Sequence, residues 1–277
     1  MRIVSYVVVV VACGPAHHGV GDDDGSGIDA PGTTGDGAND SVSLVYAHSG
    51  SALYRVDSMT LTTVEIGPLT GIGTESLTDL AVDKNENMVG ITLDKLYSIN
   101  ASTGSATLIK DLSQSATGFT SLSYIPTDLT DPNSADILVS ANDEGAVYKI
   151  DPTTGDATQI GTYGMSGSNK IVSSGDLIGV RNLGIYATVD VGSQTNDYLA
   201  KIDPATWQAT LIGTGTGFDK IFGLGFWAGT IYGFVDAGTN AGKMITIDSN
   251  SGVGTLVNSG TVEWFGAGVT TDAPIIQ

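Results

Sequence analysis

The chain has 277 residues, 38 of them glycine and 8 proline, and a formal net charge of −19 from 30 acidic and 11 basic residues. A field of that sign repels a phosphate backbone, so nucleic acid is not an expected partner. Hydrophobic residues at 41 % suffice for a folded core, while charged residues at only 15 % leave no stretch rich enough in Glu, Lys, Ala and Leu to form long helices.

From the amino end, Arg2 precedes an apolar run over residues 3–12 that is broken only by Ser5 and Tyr6. As a helix that run would rise about 15 Å, half of the roughly 30 Å of a bilayer core. A charged start, a short apolar stretch and a small residue describe a secretory signal. The run ends Val10-Val11-Ala12-Cys13, which resembles the bacterial lipobox: an aliphatic residue, a small residue, then Cys. The resemblance implies a lipoprotein signal peptide over 1–12, cleavage before Cys13, and lipidation of Cys13. It further implies attachment to a bacterial envelope membrane, with the rest of the chain outside the cytoplasm. Cys13 is the only cysteine, so no internal disulfide forms.

Residues 13–41 hold Asp22, Asp23, Asp24, Asp29, Asp36 and Asp40 among glycines and almost nothing that packs. Such a segment cannot offset its ordering entropy and is expected to act as an acidic tether with a span of roughly 30 Å. His17 and His18 are expected to be solvated, because two adjacent histidines without further ligands make a poor metal site.

From residue 42 onward one unit recurs. Its copies are Leu53-Tyr54-Arg55-Val56-Asp57, Leu96-Tyr97-Ser98-Ile99-Asn100, Val147-Tyr148-Lys149-Ile150-Asp151, Leu199-Ala200-Lys201-Ile202-Asp203 and Met244-Ile245-Thr246-Ile247-Asp248. Each is followed by a turn and a second short apolar run such as Ala157-Thr158-Gln159-Ile160-Gly161. The Asp/Asn positions lie 43, 51, 52 and 45 residues apart, the length of a four-stranded propeller blade. Asp151-Pro152-Thr153-Thr154-Gly155 carries turn chemistry: a carboxylate for backbone N–H groups, a proline that presets φ, a glycine for the left-handed position. The aspartates are therefore read as turn residues.

Runs with a small central residue precede four of the hairpins: Leu80-Ala81-Val82, Leu122-Ser123-Tyr124, Ile178-Gly179-Val180 and Leu224-Gly225-Phe226. They suit innermost strands crowding an axis. The first hairpin lacks one, and Phe265-Gly266-Ala267-Gly268-Val269 supplies it at the far end. The expectation is an all-β, five-bladed β-propeller over 42–277 whose C-terminal strand completes the first blade. The repeats resemble those of uncharacterised bacterial propeller proteins, loosely akin to YVTN and quinoprotein-like repeats. That resemblance implies a fold and leaves function open, since propellers host many activities.

Chemistry is sparse. His48 is the only histidine of the repeat region and is expected in a solvated turn, His48-Ser49-Gly50-Ser51. Neither a nucleophile–histidine pair, nor a His/Cys zinc centre, nor a phosphate loop is present in the sequence. No metal or cofactor is expected; the one segment with calcium-like composition, 128–136, lacks the alternation and terminal Glu of an EF-hand loop. A non-catalytic module is the main expectation, binding an unidentified protein, peptide or glycan through a loop face with Asp143, Glu144, Tyr163, Asp190, Phe218, Asp236 and Trp264. The alternative is a glycoside hydrolase or lectin, with Asp79, Asp176 and Glu263, each just before an inner strand, as the catalytic acids.

Overall fold

The computed structural model describes residues 45–57, 60–193 and 195–275. The expected signal peptide, Cys13 and the acidic tether lie outside the described residues. Every element among the described residues is a strand. Strands β1 (Val45–His48), β2 (Ala52–Val56) and β3 (Thr63–Pro68) open the first sheet. The second comprises β4 (Asp79–Val82), β5 (Met88–Ile91), β6 (Lys95–Ile99) and β7 (Ala106–Asp111). The third comprises β8 (Ser123–Pro126), β9 (Asp136–Ala141), β10 (Ala146–Ile150) and β11 (Ala157–Thr162). The fourth has β12 (Met165–Ser166), β13 (Asn169–Val180), β14 (Gly184–Val191), β15 (Tyr198–Ile202) and β16 (Ala209–Ile212). The fifth has β17 (Ile221–Trp227), β18 (Thr230–Asp236), β19 (Gly242–Ile247) and β20 (Gly254–Gly260). Strand β21 (Gly266–Val269) then returns to pair with β1, Val45 opposite Val269 and His48 opposite Gly266. The protein is a five-bladed β-propeller, and its first blade is built from both ends of the domain.

The outer hairpins form for the local reasons their sequence states. In three of the turns the Asp side chain accepts backbone N–H groups two and three residues on: Thr153 and Thr154 at 2.7 and 2.9 Å for Asp151, Ala205 and Thr206 at 2.9 and 2.8 Å for Asp203, Asn250 and Ser251 at 3.1 and 2.7 Å for Asp248. Those donors hold all three carboxyls below the usual range. Gly155 takes the left-handed position with φ 72°. In the fourth blade that place falls to Trp207 at φ 62°, a conformation costly for a side chain and offset by burying its ring against Gly161.

The apolar core is divided among the blade interfaces. Leu53 and Tyr46 meet Leu80 and Tyr97 between the first two blades, and Leu96 and Val89 meet Phe119 and Leu122 at the next interface. Val139 and Val147 meet Leu177 and Tyr163 between the third and fourth. One larger cluster joins the fourth, fifth and first through Ile178, Leu224, Phe234, Trp264 and Val45. The innermost strands approach so closely that a Cβ on Gly223 would stand 2.7 Å from the Ala267 nitrogen. The axis itself is lined by polar groups, and it positions the site.

Candidate functional site

Five equivalent positions, one at or just before the start of each innermost run, surround the axis: Asp79, Ser121, Asp176, Gly223 and Gly266. Asp79 Oδ1 accepts the N–H of Leu80 at 2.8 Å, and its Oδ2 accepts that of Leu122, on the next blade, at 2.6 Å. Asp176 repeats the arrangement with Leu177 at 2.6 Å and Leu224 of the following blade at 2.5 Å. Each carboxyl thereby staples its own inner strand to its neighbour's. Ser121 stays within its own blade, accepting the N–H of Ala141 on β9 at 2.9 Å. The two glycines leave room for the acids, which are fully buried and hydrogen-bond each other.

Burial raises both acids well above the ordinary carboxylate range, and the charge of Asp176 raises Asp79 further. Two carboxyls in such contact disfavour the charged form of one another out of water. Gly266 separates this pair from His48: a Cβ there would meet His48 Nε2 at 2.5 Å and Asp79 Oδ1 at 2.6 Å. His48 is fully buried, contrary to the expectation of a solvated turn, because β1 runs through it to pair with β21. Burial lowers it to about 4, so it is neutral; its Nδ1 faces the Ser49 carbonyl at 3.0 Å and its Nε2 has no partner.

Directly above this ring lies a pocket of about 620 Å³. Each blade contributes the residue just before its ring position or one further back: Thr78, Thr120, Ser174, Phe222 and Phe265. Leu77 and Leu93 extend the apolar wall, Thr92 adds a hydroxyl, and Glu75 and Asp94 stand at the rim, both paired to Lys95. Local geometry explains the two aromatic and hydroxyl walls. The β17 register shifts between Ile221 and Gly223, leaving Phe222 as the extra residue of a bulge. A second shift between Ser173 and Leu177 sets Ser174 free of the ladder. Gly175 permits it, since a Cβ there would lie 2.3 Å from the Ile221 carbonyl oxygen.

The other sequence-derived candidates scatter. Glu263 does not join Asp79 and Asp176; its Oε1 accepts the Asn240 N–H at 3.0 Å. Tyr163 and Trp264 are corrected as binding residues: they are 1 % and 5 % exposed. Tyr163 packs between the third and fourth blades, and Trp264 meets Tyr54 and Phe234 edge-on at 5.3 and 5.6 Å. A loop position in the sequence does not say which way a ring turns, and burial of so much apolar area decides it inward. Phe218 is half-buried under the Lys243 ammonium at 5.7 Å. Asp143 is exposed, Glu144 is exposed and paired with Lys170, and Asp236 pairs with Lys220 at 3.6 Å.

In the 128–136 insertion a guanidinium stands at the centre. Arg181, buried, donates to Asp136 Oδ1 and Asp272 Oδ1 at 2.7 Å each, to the Asp131 carbonyl at 3.0 Å and to Ser134. Asp190 is half-buried and gathers with two residues the sequence reading passed over as a set, Asp197 and Asp219. Phe222 and Phe265 were likewise missed, although both stand immediately before a recognisable inner-strand glycine.

No family model matches the chain, and no curated protein does. Solved structures match it as folds. A protein of unknown function from Bacteroides caccae aligns with TM-score 0.41 and 10 % identity over 78 % of this chain and 72 % of that one. A Lactobacillus plantarum protein aligns with TM-score 0.41 and 16 % identity over 82 % and 71 %. TolB from Acinetobacter baumannii aligns with TM-score 0.42 and 16 % identity over 78 % of this chain and 51 % of its own length.

Proposed function

We propose that this propeller is a non-catalytic binding module, held outside the cytoplasm by a lipid on Cys13, and that its ligand enters the pocket above the channel. The observation that carries the reading is the pocket's construction. All five blades contribute to its lining, and its floor is closed by a ring whose polar groups are engaged in holding blades together. A concave, largely apolar site with a few convergent hydroxyls is the usual form of a small-ligand site. Phe222 and Phe265 beside Thr78, Thr120 and Ser174 suit a sugar ring or a peptide side chain, which offers one apolar face and polar edges.

The hydrolase alternative draws support from the position of Asp79 and Asp176 beneath that pocket. Against it stands their chemistry. Glycosidic acids stand about 5–10 Å apart with the substrate between them. Here the carboxyls touch, have no exposed surface, and accept two strand amides each.

Thermal melts of the full chain against a panel of glycans and envelope peptides test the reading. A ligand at a hundred times its Kd adds about 2.7 kcal/mol, a rise of a few degrees. Phe222→Ala and Phe265→Ala, both on half-buried residues, are expected to abolish the rise. A shift that survives both substitutions would move the site elsewhere, and release of product from the glycan panel would favour the hydrolase. For the anchor, Cys13→Ser should shift the protein from the membrane to the soluble fraction.

A further inference from the structure

Asp190 lies near the end of β14, Asp197 immediately before β15, and Asp219 in the loop before β17. A carboxylate oxygen from each lies within 4.8 Å of the others. Asp197 is fully buried. Its Oδ2 accepts the Ile221 N–H of the fifth blade at 2.7 Å, while its Oδ1 is buried with no hydrogen-bond partner. Oδ1 of Asp190 is buried and unpartnered too. Among the described residues no ion pair engages any of the three, and Lys220, next to Asp219 in the chain, reaches Asp236 instead. A buried anionic oxygen without a donor is costly, and two side by side are costlier; a cation between them removes both penalties at once.

We propose that Asp190, Asp197 and Asp219 form a binding site for one hard divalent cation of the calcium class, at the seam of the fourth and fifth blades. The chemistry of the donors selects the metal. The three carboxylates bring oxygen alone, with no imidazole or thiolate, which favours calcium-type ions over zinc or copper. The span fits as well, since ligands on opposite sides of a calcium ion with bonds of about 2.4 Å stand about 4.8 Å apart. Ser174, freed from the ladder beside this seam, offers a further oxygen, and water completes the shell through the exposed side at Asp219. Burial pushes Asp197 up to about 7, with the charges of Asp190 and Asp219 adding to the rise, so near neutrality a proton competes with the cation for this carboxylate. The site goes beyond the binding reading and does not depend on it, although Ser174 belongs to both.

The test is calorimetric titration of the full chain, stripped with chelator, by calcium chloride and in parallel by magnesium chloride. One saturable calcium site per chain is expected. Asp219→Asn, on an exposed side chain, is expected to weaken it about tenfold or more while the circular dichroism stays as in the parent and the melt in chelator does not fall below the parent's. Asp128→Asn, in the insertion held by Arg181, is expected to bind calcium as the parent does. Absence of a saturable site, parental affinity in Asp219→Asn, or an equal loss in Asp128→Asn would overturn the proposal. Magnesium binding as tight as calcium would overturn the assignment of the ion.

Discussion

Two groups of carboxyls sit within this propeller, and they are finished in opposite ways. Asp79 and Asp176 meet on the axis with all four oxygens accepting strand amides. Asp190, Asp197 and Asp219 meet off the axis with one amide among them and two buried oxygens left without a donor. The first group closes on itself and behaves as a structural joint. The second is open on one side and is completed only by something from solution. Burial alone therefore does not mark a functional acid; what matters is whether the protein has already supplied its partners.

Substitution separates the two groups most sharply. Asp176→Ala leaves the Leu177 and Leu224 amides without their acceptor and Asp79 without its partner. A loss of about 3–5 kcal/mol is expected in urea unfolding. Asp219→Ala in chelator removes only a repelling charge and should leave the urea midpoint unchanged or slightly raised. Equal losses would erase the distinction.

The pH dependence sharpens it further. Asp197 titrates at about 7 when folded and near 3.8 when exposed, so between those values the folded chain holds the proton more tightly. Its contribution to stability is complete below about pH 4 and is lost as pH rises towards 7. The axial pair, also raised, acts in the same direction. His48, lowered to about 4 by burial, acts the other way and adds stability as pH rises from 4 to about 6.5. Melts in chelator should therefore fall most plainly from about pH 6.5 to pH 8, and millimolar calcium should flatten the part of the fall that belongs to Asp197. A fall unaltered by calcium would leave only the axial pair responsible.

A smaller effect probes the crowding that keeps the axial pair in place. Gly266→Ala forces a methyl between His48 Nε2 and Asp79 Oδ1, and a loss of about 1–3 kcal/mol is expected by the same urea assay. Smaller still, Gly167→Ala places a side chain at φ 62° with no atom within 4 Å of it, for about 1 kcal/mol.

The blades were legible in the sequence because their causes are local. The Asp-to-Gly turns at Asp151 and its counterparts dictate hairpins within a few residues, and the small residues of Leu80-Ala81-Val82 and its counterparts mark the axis. Even the closing strand showed, as a missing copy that reappeared at Gly266. The site was less legible because it exists only after five distant segments are brought round one axis. Asp79 and Asp176 were visible as acids before inner strands, but nothing in the chain said that they would touch and be sealed. Phe222 and Phe265 looked like ordinary strand starts until a bulge and a ring position gave them a pocket to line. His48 read as a turn residue because Gly50 follows so soon, and only its pairing with Gly266 draws it inside.

Strand β21 also gives the ring an order in time. A nascent chain presents β1, β2 and β3 first, yet the innermost place of their sheet stays vacant until Gly266–Val269 is made. Until then the backbone edge of β1 is open, and any strand with a matching register can dock on it. The nearest such strand, in a cell making many copies, is the same segment of a neighbouring chain. Slow synthesis or a break before Gly266 should therefore favour exchange of final strands between copies, linking propellers tail to head through the joint that ordinarily closes each one.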